Sequence, residues 1–138
     1  MKTEMKIGTA LIVEDSLTDM QILTGCLQQG GIHVVVAQSG EEAIAVITRQ
    51  RPDVVVLDVV LPGCSGFEVC RELKANPATR DIPVLMCSTK GSDLDRFWGM
   101  KQGADAYLPK PIDQEEFVRT VNRLINNQMT TDQGLWLN

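Results

Sequence analysis

Long apolar stretches are missing from this chain of 138 residues. Its longest runs, around Val54 to Leu57 and Ile32 to Ala37, fall far short of the roughly 20 residues that a membrane-spanning helix needs. The start, Met1-Lys2-Thr3-Glu4-Met5-Lys6, lacks the apolar segment of a secretory signal. The expected location is therefore cytoplasmic, without membrane insertion. Positive charge is also short: 13 Lys and Arg against 18 Asp and Glu give a formal charge of −5. Neutralising a phosphate backbone takes clustered Lys and Arg, so nucleic acid is not an expected partner. Basic proteins and divalent cations are not excluded by this balance. The four cysteines, Cys26, Cys64, Cys70 and Cys87, form no C-x-x-C, and only His33 stands beside them as a further zinc ligand. That spacing argues against zinc. The thiols read as reduced, small hydrophobes in or near the core. Repeats, low-complexity tracts and long linkers are absent as well. With 43% hydrophobic and 22% charged residues, the chain suits one globular domain with a real core.

Short, β-branched apolar runs are present instead. They are Ala10–Val13, Val34–Ala37, Val54–Leu57, Val84–Cys87 and Ala106–Leu108. Each is continuous rather than alternating, the pattern of strands buried on both faces. Helix starts lie between them: Ser16-x-x-Asp19, Ser39-x-x-Glu42, Ser65-x-x-Glu68 and Asp113-x-x-Glu116. A capping side chain three residues before an acid satisfies orphan N–H groups and opposes the positive end of the helix dipole. The last helix presents a stripe of Phe117, Val118, Val121, Leu124 and Ile125, and the second buries Ala43, Ile44 and Ile47. Five strands alternating with about five helices predict an α/β fold, a doubly wound parallel sheet covered on both sides. Right-handed crossovers bring all strand carboxyl ends to one edge, where ligands bind.

The polar chemistry should therefore follow each apolar run. Glu14 and Asp15 follow the first strand and Asp58 the third. Acidic residues at such turns often do no more than cap a helix, and alone these three would read that way. The other strand ends change the balance. Ser88 closes the fourth strand, and Lys110 follows the fifth between Pro109 and Pro111. Three carboxylates, a hydroxyl and a lysine on one edge make a phosphoryl-handling site. Oxygen ligands suit a hard cation, Mg²⁺ or Mn²⁺. Asp58 is the expected nucleophile, forming an acyl phosphate. Asp15 binds the cation, helped by Glu14, Asp58 and the carbonyl of Val60. Lys110 pairs with Asp58 at rest and with the phosphoryl group afterwards, while Ser88 moves to bond the new oxygens.

Four segments carry a family resemblance: Leu11-Ile-Val-Glu-Asp-Ser16, Val55-Val-Leu-Asp-Val-Val-Leu-Pro-Gly-Cys-Ser-Gly66, Ile82-Pro-Val-Leu-Met-Cys-Ser88 and Gly103-Ala-Asp-Ala-Tyr-Leu-Pro-Lys-Pro111. Together, in order and spacing from Thr9 to Ile125, they resemble response-regulator receiver domains. The resemblance implies a flavodoxin-like (βα)5 fold with strand order 2-1-3-4-5, a cis Lys110–Pro111 bond, and phosphorylation of Asp58 by a histidine kinase. It divides the chain into an extension (1–8), a receiver domain (9–126) and a tail (127–138). Ser88 to Gly103, with Trp98-Gly99 and Lys101-Gln-Gly103, is similar to stand-alone chemotaxis-type regulators of type IV pili, which control twitching motility or phototaxis. The implied protein is a monomer or weak dimer. Its output is a change in protein binding, and its own catalysis is limited to taking and hydrolysing its phosphoryl group.

Two positions depart from the commonest family pattern. Glu14-Asp15 replaces Asp-Asp, and Thr89 replaces a small residue beside the phosphoryl site, which bears on access and phosphate lifetime. Val60 and Lys90 occupy positions that tune self-dephosphorylation in the family. Tyr107 reads either as a strand aromatic packed under a helix or, by resemblance, as a rotamer switch coupled to Ser88. Of Phe97 and Trp98, one is expected in the core and the other on the surface. An exposed Trp98 would mark a partner surface on the fourth helix, fifth strand and fifth helix. His33 and the cysteines read as bystanders, unless Cys64 is exposed and acidic. The tail segment Gly134-Leu-Trp-Leu137 reads as a loose end, with docking of Trp136 the alternative.

Three rivals remain in view. An aspartyl phosphatase usually has a second acid two residues after its nucleophile, where this chain has Val60. A flavin binder of the same strand order needs a phosphate-cradling loop that Glu14-Asp15 would repel. A receiver that works without phosphorylation would not need the full set of Glu14, Asp15, Asp58, Ser88 and Lys110.

Overall fold

A computed structural model describes residues 8–132, with side chains through Asn127. The extension before Gly8, and the tail segment with Trp136, lie outside the described residues. The elements are β1 (Thr9–Val13), α1 (Leu17–Gln29), β2 (His33–Ala37), α2 (Gly40–Arg49), β3 (Val54–Leu57), α3 (Gly66–Ala75), β4 (Val84–Ser88), α4 (Asp93–Lys101), β5 (Ala106–Pro109) and α5 (Gln114–Asp132). α5 thus continues past residue 126, where the sequence placed the end of the domain.

All pairings are parallel, in the order β2-β1-β3-β4-β5. β1, β3 and β4 are the inner strands, and their runs of Ala, Leu, Ile, Val and Met are buried almost throughout. The expectation of two-sided burial fails at the edges: β2 leaves Val36 exposed, and β5 is only partly covered. An edge strand has one neighbour and needs less cover. One core layer sets α1 and α5 against the sheet through Met20, Leu23, Leu27, Phe117 and Val121. The opposite layer joins α2 and α3 through Val46, Ile47, Val69 and Leu73, and it includes Tyr107. In α2, Val46 is buried in addition to Ala43 and Ile47, whereas Ile44 is only half-buried.

The expected serine caps form. Ser16, Ser39 and Ser65 each accept the N–H of the acid three residues on. Asp113 does the same for Glu116. A fifth start, Ser92-x-x-Asp95, escaped the sequence reading, yet it makes the complete reciprocal capping box.

Candidate phosphoryl and cation site

The carboxyl edge is assembled by ladder hydrogen bonds that run one rung beyond the strands. The Glu14 N–H donates to the Ala37 carbonyl (3.0 Å), that of Asp58 to Val13 (3.1 Å), and that of Lys110 to Ser88 (2.9 Å). Parallel register places Val13 beside Leu57, so the residues that follow them converge. After Asp58 the chain turns back through Gly63, at φ +84°, and reaches Gly66. A Cβ on Gly66 would lie 2.1 Å from the Asp58 carbonyl oxygen, so only glycine lets α3 begin against this backbone. The Lys110–Pro111 peptide is cis, as the resemblance implied.

Single carboxylate oxygens of Glu14, Asp15 and Asp58 lie within 4.8 Å of one another. Glu14 is buried, Asp58 is 8% exposed, and Asp15 faces solvent. The Lys110 ammonium sits against this group, at 2.6 Å from Glu14 Oε1 and 3.2 Å from Asp58 Oδ2. Its third partner is Asp19 Oδ2 at 2.9 Å. Burial opposes the lysine's charge, but hydrogen bonds to Glu14 and Asp19 and the Asp58 charge outweigh it, and its pKa is raised. For Glu14, burial raises the pKa against the Lys110 hydrogen bond, and the Asp58 charge adds to the rise. Oxygen donors alone, more negative charge than one lysine can balance, and one donor open to water suit a hard divalent cation.

The remaining expected residues take different places. Ser88 is fully buried, and its Oγ accepts the Lys90 N–H at 3.2 Å. The Val60 N–H donates to Asp58 Oδ1 at 3.2 Å, which sets this backbone beside the acceptor while the side chain is exposed. Thr89 is exposed at the end of β4. Tyr107 is buried beneath α4, its hydroxyl donating to the Lys90 carbonyl and its ring 5.9 Å from the Arg96 guanidinium carbon. Burial pushes the Tyr107 hydroxyl up to about 12.

One expectation is corrected. Phe97 and Trp98 are both exposed, at 54% and 46%, and pack edge-on against each other with centroids 5.6 Å apart. The inward position on α4 belongs to Gly99. Cys70 and Cys87 are buried, with pKa values pushed up to about 11 and about 12, so their thiols stay protonated. Cys64 is half-buried, and His33 is exposed at the start of β2, the end of the sheet away from the acids. Asp19 is the site residue that the sequence reading used only as a helix-start acid. Its place in the first turn of the helix that leaves the acidic edge was the available signal.

The family model for the response regulator receiver domain matches residues 10–122. The chain belongs to this family. It is 41% identical over 115 residues to Protein PilH of Pseudomonas aeruginosa, covering 83% of this chain and 95% of that protein. It is 35% identical to the Phosphate regulon transcriptional regulatory protein PhoB of the same organism, covering 85% of this chain but 51% of PhoB. Among solved structures, the chemotaxis response regulator CheY4 of Vibrio cholerae superposes with a TM-score of 0.80 at 31% identity, covering 86% of this chain and 99% of CheY4. As a receiver domain, the protein is a signalling switch of two-component phosphorelays, with a phosphodonor kinase before it and protein targets after it.

Proposed function

We propose that Asp58 accepts a phosphoryl group from a chemotaxis-type histidine kinase and that the product state changes which protein binds α4, β5 and α5. The observation that carries this reading is the Asp58 carboxylate held within 3.2 Å of a buried lysine ammonium, beside two further carboxylates. An Asp58 oxygen attacks phosphorus as the donor's bond to phosphorus breaks, and the donor leaves with that bond's electrons. Lys110 then pairs with the phosphoryl oxygens, and the Ser88 hydroxyl turns from the Lys90 N–H to donate to one of them. Glu14, Asp15, Asp58 and the Val60 carbonyl would hold Mg²⁺ or Mn²⁺. Such an ion supplies neutralisation of phosphoryl charge.

Similarity to PilH supports a role in type IV pilus motility, and the absence of a long apolar helix among the described residues supports a cytoplasmic site of action. The exposed Leu94, Phe97, Trp98 and Met100 on α4 supply an apolar contact strip for the target. The domain's own chemistry is phosphoryl transfer to Asp58 and hydrolysis of the product.

Incubation with acetyl phosphate and Mg²⁺, read by intact mass, tests this function. The wild type gains one phosphoryl group and Asp58→Asn gains none. A wild type that gains no mass, or an Asp58→Asn protein that does, overturns the reading.

A further inference from the structure

A lysine ammonium has three N–H donors and no acceptor. At Lys110 each of three carboxylates lies within hydrogen-bond distance: Glu14, Asp19 and Asp58. Glu14 and Asp58 are also two of the three groups that could hold a cation, and Asp19 is outside that set. The lysine and a cation therefore compete for the same two carboxylates, while among the described residues the Asp19 carboxylate bonds only the lysine.

An acid at this helix position can accept the N–H of the capping serine. Asp95 does so for Ser92 at 3.3 Å. At α1 the Ser16 N–H donates instead to Glu14 Oε2, at 3.2 Å. The Ser16 hydroxyl still holds the Asp19 N–H, so the backbone cap is kept while the Asp19 carboxylate turns to Lys110. Capping does not account for where this carboxylate points.

We propose that Asp19 is a positioning residue that draws the Lys110 ammonium toward α1, leaving Glu14 and Asp58 available to a divalent cation and a phosphoryl donor. The proposal rests on the reading of Asp58 as phosphoacceptor. An ammonium shared between Glu14 and Asp58 stands in for the cation's charge, and the same two carboxylates do not hold both at full strength. With a neutral side chain at 19, the third N–H loses its anionic partner and the lysine settles more firmly on Glu14 and Asp58. The lost charge of Asp19 also weakens a cation through space, so a double-mutant cycle is needed to separate the two contributions.

Calorimetric titration with Mg²⁺, without a phosphodonor, compares wild type, Asp19→Asn, Asp19→Glu, Lys110→Met and Asp19→Asn/Lys110→Met. Asp19→Asn weakens Mg²⁺ binding by roughly three- to tenfold, in the lower range of couplings between contacting groups. Asp19→Glu restores most of it. In the Lys110→Met background the Asn substitution costs less than about twofold. Unchanged Mg²⁺ affinity in Asp19→Asn, or an equal loss with and without Lys110, overturns the proposal. The NMR resonance of the Lys110 ε-methylene provides a reading that needs no lysine variant. It shifts in Asp19→Asn and returns in Asp19→Glu, and an unmoved resonance overturns the proposal equally. A wild type that binds Mg²⁺ but gains no phosphoryl mass overturns the phosphoacceptor reading while leaving the Asp19–Lys110 coupling measurable.

Discussion

α1 and α4 begin with the same local pattern, Ser-x-x-Asp, and end up doing different things. α1 buries Met20, Leu23, Cys26 and Leu27 against the sheet, while α4 buries only Gly99. At the start of α4 the serine and the acid close on each other. At the start of α1 they do not, because Glu14 takes the serine's N–H and Lys110 takes the acid. A capping box is a weak local arrangement: among the described helix starts only Ser92-x-x-Asp95 closes both ways, and at α1 a buried lysine takes the acid. The helix with many buried contacts is thus fixed and carries part of the site. The helix with one is weakly anchored and presents Leu94, Phe97, Trp98 and Met100 to solvent. Segments with few buried apolar contacts are those that move first in a switch.

The largest test of this contrast is core truncation. Leu27→Ala should cost about 2–5 kcal/mol, as for a fully buried leucine, whereas Leu94→Ala should stay within about 0.5 kcal/mol. Urea denaturation of both variants checks it, and equal costs would break the comparison.

Next comes Gly99, where an added Cβ would lie 2.8 Å from the Tyr107 ring and 2.9 Å from the Met86 sulfur. Gly99→Ala should cost about 1–3 kcal/mol through overpacking and push α4 outward or Tyr107 out of its place. Trp98, the neighbouring residue, reports the displacement by its fluorescence. A variant with wild-type stability and emission would mean that α4 is not seated on this glycine.

The smallest effect is at the cap. Ser92→Ala should cost about 1 kcal/mol, and hydrogen exchange of α4 amides should speed up while α1 is unaffected. Faster exchange in both helices would show that α4 is not an independent unit.

The sequence by itself determined the sheet and most of the residues that gather at the candidate site. Continuous apolar runs marked all five strands, and in the three inner ones a neighbour on each side with helices above and below leaves no room for polar groups. Glu14, Asp15, Asp58, Ser88 and Lys110 were legible because each follows a run, and parallel topology carries run ends to one edge. Two-sided burial was misread for β2 and β5, since a chain does not announce which strands are edges.

Tertiary structure alone decided the partners. Whether Asp19 closes a box with Ser16 or turns to Lys110 depends on a lysine 91 residues away. The inward position of α4 falls on Gly99, with Tyr107 and Met86 filling the space beneath it, and Phe97 and Trp98 are left outside. Periodicity sets which residues share a helix face. What waits on the far side of that face, ring or carboxylate or water, is set by residues distant in the chain.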